Sequence, residues 1–304
     1  MSGSAFRVAS MPFRPAPGGA AASVAAIDRL AAQAADEHIR LLVFPELCLV
    51  ASHDAPVLRR RELEALAEPL DGPSISAVVD IAVRSGVAVG VGFIERAGDG
   101  RCFNSYVVCM PDGLRHCHRK LYMDGPELFE QGDCFTVFDT PWGGRAAILT
   151  GADNDLVENV RAAAVLGAAV LISPHRRRGS DDQTRRSRSL AARAQENGIF
   201  VVFSGVFDHG QDTQADCAMC FGPDGAMVFP GADTSSAMRF SDLDLTHVPH
   251  SEGQRGLKAR RPELYGLLAE SSANEPAPRH VGIASRRSTA LAFAIVTRRR
   301  SAGW

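Results

Sequence analysis

RAAILTGADNDLVENVRAAAVLGAAVLISPH, residues 145–175, is the stretch whose reading decides the fold. An apolar run over 145–149 stops abruptly at Gly151, a helix is predicted over 154–166, and a second apolar run follows over 169–173. Strand, sharp turn, helix, strand is the unit of an α/β layered protein. A turn of this kind lifts its central residue out of the sheet and aims the next backbone N–H groups at a ligand. Here the apex is a glycine, which supplies conformational freedom and no reactive atom.

The same alternation extends outward. Residues 6–13 read as a first strand, and 20–37 carry Val24, Ile27, Leu30 and Ala34 at helical steps. Strands at 40–44 and 87–94 flank a helix at 74–84. An antiparallel element is predicted where 103–110 and 114–121 bracket the turn Pro111-Asp112-Gly113. A strand at 135–138 leads into the deciding stretch. Beyond it come a helix at 185–196, a strand at 200–204, and a run ending at 221 that turns on Gly222-Pro223-Asp224-Gly225 into a further strand. The last regular elements fall at 238–243 and 245–257. After about residue 269 the chain turns polar, Pro-containing and finally Arg-rich.

Composition narrows the function. The 304 residues are 45% hydrophobic and 22% charged, with 33 basic and 35 acidic residues for a formal charge of -2. No overall field would draw the chain onto nucleic acid or anionic lipid, so neither is expected as a partner. Seven cysteines without paired CxxC spacing read as reduced thiols, not as a disulfide framework or zinc knuckle. No apolar run approaches about 20 residues and the first ten lack a signal-peptide pattern, so the expectation is a cytoplasmic protein with no membrane partner.

Three places could carry chemistry. Glu46 directly follows the strand in LLVFPEL, where α/β folds commonly place reactive groups, although an acidic turn residue would look the same. Lys120 closes HCHRKLY, whose His116, His118 and Lys120 alternate onto one face. A metal pair would need a third ligand at recognisable spacing; none is seen, and no metal or cofactor is expected. The third place is the elbow at Gly151. Six arginines between 176 and 188 could hold an anion or simply form a solvated loop.

FPEL at 44–47, HRKLY at 118–122, VFDTPWGG at 137–144 and the elbow up to Pro174-His175 together resemble the nitrilase (carbon–nitrogen hydrolase) superfamily. The likeness continues through ARAQENGIFVVFSG, GPDG and ARRPELYG, covering roughly residues 5 to 266. It implies a single-domain four-layer α-β-β-α sandwich over 1–268 and a homodimer or higher homo-oligomer, while the composition of 269–304 reads as a flexible or oligomer-docking tail. It also implies a small amide, nitrile or N-carbamoyl ligand. In that family a Glu is general base, a Lys stabilises the oxyanion and an elbow Cys attacks the carbon. Glu46 and Lys120 fall on the first two positions, Gly151 on the third, and Glu127 and Ala152 on substrate-contacting ones. Without the thiolate, covalent hydrolysis is expected to be lost or strongly impaired, leaving a binding or regulatory role. A non-cysteine hydrolytic mechanism, in which Thr150 or Cys217 could stand in, or an engineered Cys-to-Gly change remain the alternatives. So does a purely structural ion pair between Glu46 and Lys120.

Overall fold

A computed structural model describes residues 5–16, 18–50, 59–123, 128–176, 183–206, 217–229 and 238–270. Among them two sheets form. The first has the strand order β11-β1-β2-β3-β4-β5 and the second β10-β9-β8-β7-β6. The strands are β1 (Ala5–Ser10), β2 (Leu41–Val43), β3 (Ala88–Arg96), β4 (Cys102–Cys109), β5 (Arg115–Arg119), β6 (Thr136–Asp139), β7 (Arg145–Ile148), β8 (Ala168–His175), β9 (Phe200–Gly205), β10 (Ala218–Phe221) and β11 (Arg239–Asp244). The helices are α1 (Ala20–Asp36), α2 (Arg60–Leu66), α3 (Pro73–Ser85), α4 (Val157–Val165), α5 (Gln183–Asn197) and α6 (Glu252–Lys258).

Two-residue alternation explains the layering. One face of the first sheet, with Leu42, Val89, Val91 and Val107, packs on Ile27, Ala31 and Ala34 of α1 and on Ile75, Val78 and Ala82 of α3. Its other face, with Val8, Leu41, Val43 and Tyr106, meets Ile148, Val170, Ile172 and Val202 of the second sheet. The outer face of that sheet, with Ala147, Leu171 and Val201, is covered by Val160 and Ala163 of α4 and by Leu190 and Ala194 of α5. The result is the α-β-β-α order that the sequence implied. Helix boundaries follow local chemistry: α3 begins on Pro73, whose missing N–H is not needed there, and stops at Gly86 in the left-handed region at φ 69°.

The structure departs from the sequence reading at several elements. The helix predicted over 154–166 is split: a 3₁₀ turn, Gly151–Asp155, comes first, and α4 starts only after Leu156, whose backbone is extended at φ -84°, ψ 118°. The Asp153 side chain folds back onto the Thr150 N–H and makes the turn tight. Among the described residues after Gly225, the expected strand is a single bridge between Phe221 and Met227. The 245–257 region is a 3₁₀ turn, Leu245–His250, followed by α6. Helix α2 was not anticipated, because a seven-residue helix carries too little periodicity to register.

Strands β1 and β11 close one edge of the first sheet by antiparallel pairing from Ala5↔Asp244 to Ser10↔Arg239. The chain divides into two compact units, Met1–Ala259 and Arg260–Trp304; the described part of the second carries two 3₁₀ turns, Pro262–Leu264 and Gly266–Ala269. No helix among the described residues is long and apolar enough to cross a membrane.

Candidate active site

Glu46, Lys120, Gly151 and His175 lie at or just past the carboxyl ends of β2, β5, β7 and β8, and the fold brings these ends together. Pro45 follows Phe44 out of the sheet, and the chain then turns back sharply at Leu47, which is held at φ 53°, a conformation most side chains avoid. The turn is docked on β3: the Leu49 N–H donates to Gly92 O at 3.1 Å, and the Gly92 N–H donates to Cys48 Sγ at 3.3 Å. This close approach requires glycine at 92, since a Cβ there would lie 2.2 Å from Leu47 N and 2.9 Å from Glu46 C.

Glu46 is thereby held inside the protein, 4% exposed, with Lys120 at 3%. Its Oε1 accepts from Lys120 Nζ at 2.9 Å and from Asn104 Nδ2 at 2.7 Å; its Oε2 accepts from the Arg176 backbone N–H at 2.8 Å. Lys120 is fixed at its backbone as well, where its N–H donates to Asn104 O and its carbonyl accepts from the Gly132 N–H.

The elbow is tied to the lysine strand by Asp153, which is fully buried. Its Oδ1 accepts from the Leu121 and Tyr122 N–H groups at 3.0 and 2.7 Å, directly after Lys120. Its Oδ2 accepts from the Thr150 N–H at 3.1 Å and lies 3.0 Å from His118 Nε2. Asn154 closes the turn from the other side, donating through Nδ2 to Leu149 O and Gly151 O. Gly151 itself has φ 53°. A Cβ built on it would lie 2.8 Å from both Glu46 Oε2 and Lys120 Nζ. The apex therefore points between the carboxylate and the ammonium.

Burial pushes the Glu46 carboxyl up, but the Lys120 charge and the hydrogen bonds from Lys120 and Asn104 outweigh it and hold the group at about 2. Burial, reinforced by the nearby Arg186 charge, pushes His175 down to about 3, so this ring is uncharged at neutral pH. The pair with the elbow thus offers an acceptor, Glu46, and a donor, Lys120, on either side of one point. A primary amide presents the complementary groups, an N–H donor and a carbonyl acceptor.

Of the residues singled out in the sequence, Glu46, Lys120 and Gly151 converge, and Ala152 is buried beside them at 2%. Glu127 lies outside the described residues. His116 and His118 part company: His116 stacks on Phe138 at 4.0 Å, while His118 meets Asp153. Thr150 is buried, and Cys217 Sγ donates to Val206 O at 3.3 Å. Sequence reading missed Asn104 as a partner of Glu46; its signal was one amide in the fully buried CFNSYVVC run. It also used Asp153 only to mark position, without its role as a clamp.

Residues 7–248 match the family model for carbon-nitrogen hydrolases. An (R)-stereoselective amidase of Pseudomonas sp is 32% identical over 236 residues, spanning 76% of this chain and 82% of that protein. A "Hydrolase in pqqF 5'region" of Pseudomonas protegens is 29% identical over 272 residues, spanning 87% and 92%. Among solved structures, an amidase from Nesterenkonia sp. is similar at TM-score 0.68 and 24% identity, over 88% of this chain and 98% of that one. A double mutant of the Nesterenkonia amidase was solved in complex with acrylamide, at TM-score 0.68.

Proposed function

The chain belongs to the carbon–nitrogen hydrolase family, and on that premise we propose that it binds a small amide-type ligand at Glu46 and Lys120 without hydrolysing it covalently. Gly151 takes the place of the family's nucleophilic cysteine. The observation that carries this reading is the direction of the missing side chain: a Cβ on Gly151 would fall 2.8 Å from Glu46 Oε2 and from Lys120 Nζ. In a cysteine-bearing relative, a thiol on that carbon would meet its base and its charge stabiliser at once. Glycine leaves the two flanking groups in place and removes the atom that would form the bond.

A hydrolase in which Glu46 activates water is the second reading, favoured by the presence of both charged groups in a buried site. The state of Glu46 weakens it. Lys120 and the hydrogen bonds hold the carboxylate below its ordinary range, which makes it a weaker base, and water is a far weaker acid than the thiol that a cysteine would place there. The structural reading of the pair predicts that Glu46→Gln lowers stability and leaves ligand affinity untouched; the binding reading predicts a folded variant that no longer retains the amide.

Turnover separates these accounts. Purified protein and Gly151→Cys are incubated side by side with short amides, nitriles and N-carbamoyl compounds while ammonia release is followed. We expect release from Gly151→Cys alone. Release by the unmodified protein, abolished in Glu46→Gln, would establish a non-cysteine mechanism and overturn the proposal.

A further inference from the structure

We propose that Glu95, on the face of the first sheet away from the site, is a positioning residue: by gripping Arg119 it fixes Lys120 for the amide-type ligand. The inference rests on the amide-binding reading above and names what keeps its lysine in place. Lys120 directly follows β5, which is five residues long and lies at the edge of its sheet with β4 as its neighbour. A sheet holds its edge strand from one side. Successive side chains point to opposite faces, so Arg119 turns away from the site while Lys120 reaches Glu46. On the outer face Arg119 clasps Glu95 of β3 with its fork, Nε donating to Oε2 at 3.0 Å and Nη2 to Oε1 at 2.6 Å. The carboxylate is 5% exposed and also accepts from Ser105 Oγ of β4 at 2.6 Å. The Arg119 guanidinium carbon lies 4.0 Å from the centre of the buried Phe103 ring.

This contact reaches across a whole strand. In the ladder Glu95 stands opposite Phe103, and Ser105 opposite Arg119, so the fork crosses β4 and ties the edge strand to β3. β3 also carries the turn that holds Glu46, through the Leu49 N–H on Gly92 O. One strand thereby places both charged groups of the site, Glu46 through Gly92 and Lys120 through Glu95. A buried carboxylate is costly unless charge and hydrogen bonds answer it, and here the answering charge sits on the residue just before the lysine. A two-pronged guanidinium–carboxylate contact fixes direction as well as distance, which a single point charge does not.

Lysine reactivity reads the position of Lys120 directly, because the chain has two lysines and the other, Lys258, is exposed. The full-length protein, Glu95→Gln and Leu190→Ala are reductively methylated with formaldehyde and cyanoborohydride under conditions where all three are folded, and the rates at the two lysines are compared by peptide mapping. Leu190→Ala lowers stability under α5, on the other sheet, and serves as the control for a merely structural effect. Butyramide is titrated into each protein by calorimetry. In Glu95→Gln the rate at Lys120 relative to Lys258 is expected to rise at least about tenfold and butyramide affinity to fall by a similar factor, the scale of a hydrogen bond to a charged group. Leu190→Ala should change neither. An unchanged ratio in Glu95→Gln, or an equal rise in Leu190→Ala, overturns the inference; so does a faster Lys120 that leaves butyramide affinity as it was. Should Glu95→Gln fail to fold, Phe103→Leu decides by the same comparison: it keeps both charges, removes the ring against Arg119, and is expected to raise the ratio about threefold. If butyramide does not bind the unmodified protein, the amide reading falls, while the lysine rates still decide whether Glu95 places Lys120.

Discussion

Burying Glu46 against Lys120, with His175 close by, dictates how the molecule responds to acid. The folded Glu46 carboxyl lies at about 2 against an ordinary value of 4.5. Its contribution is complete above pH 4.5 and is lost as the pH falls toward 2; the shift corresponds to on the order of 3 kcal/mol. His175 acts earlier. Its folded value of about 3 lies below the ordinary 6.5, so the unfolded chain takes up a proton that the folded chain refuses, and stability starts to fall as the pH drops through 6.5. Urea unfolding free energies should therefore decline from pH 6.5 downward, and His175→Gln should flatten the limb between 6.5 and 4.5 while the steeper loss below 4.5 remains. An unchanged upper limb in His175→Gln would show that this ring titrates freely in the folded protein. Glu46 and Gly151 could be picked out in the sequence because each follows an apolar run, and Lys120 because HRKLY resembles the family's lysine segment; the state of the pair could not, since it depends on Asn104 and the Arg176 N–H arriving from other strands.

At the level of elements, the site is set by how the turn after β2 lies on β3. Leu47 at φ 53° and the contact across Gly92 are two sides of one arrangement. Gly92→Ala would push a methyl group into the Glu46–Leu47 peptide, and overpacking against backbone at this distance should cost about 3 kcal/mol. We expect the variant to show a lower urea midpoint and, under conditions where it remains folded, weakened amide binding. Wild-type stability in Gly92→Ala would show that the turn can shift without loss and does not set the position of Glu46. The strands and longer helices were readable because their periods of two and about 3.6 residues are local properties. The split between the elbow and α4 was not, because it is enforced by Asp153 bonding to backbone groups of residues 121 and 122, about thirty positions away in sequence.

Across the whole molecule the two sheets form one frame around the site. Ser10 Oγ donates to Phe203 O at 2.7 Å and Ser204 Oγ donates to Met11 O at 3.0 Å, joining the end of β1 to the end of β9. Trp142, on the turn between β6 and β7, stacks on Phe6 of β1 at 4.8 Å. The layered class could be inferred from alternating elements, while the closure of the first sheet by β11 could not. That closure joins partners such as Arg7 and Asp242, which are 235 positions apart, and no local pattern encodes such a distance. Such a frame holds Glu46 and Lys120 in place whether or not a nucleophile stands between them, so restoring a thiol at 151 should restore covalent chemistry. The left-handed backbone at Gly151 makes this substitution costly by roughly 1–2 kcal/mol, and both flanking contacts are with the ends of flexible side chains that can yield. The most direct test is intact mass and peptide mapping of the unmodified protein and Gly151→Cys after exposure to acrylamide, whose β-carbon bonds to a thiolate while its α-carbon takes a proton. The account predicts a single added acrylamide on residue 151 of Gly151→Cys, formed much faster than modification of any cysteine in the unmodified protein. Equal, slow labelling of the two proteins, with residue 151 no more reactive than the native cysteines, would contradict the claim that glycine stands in an otherwise intact catalytic site.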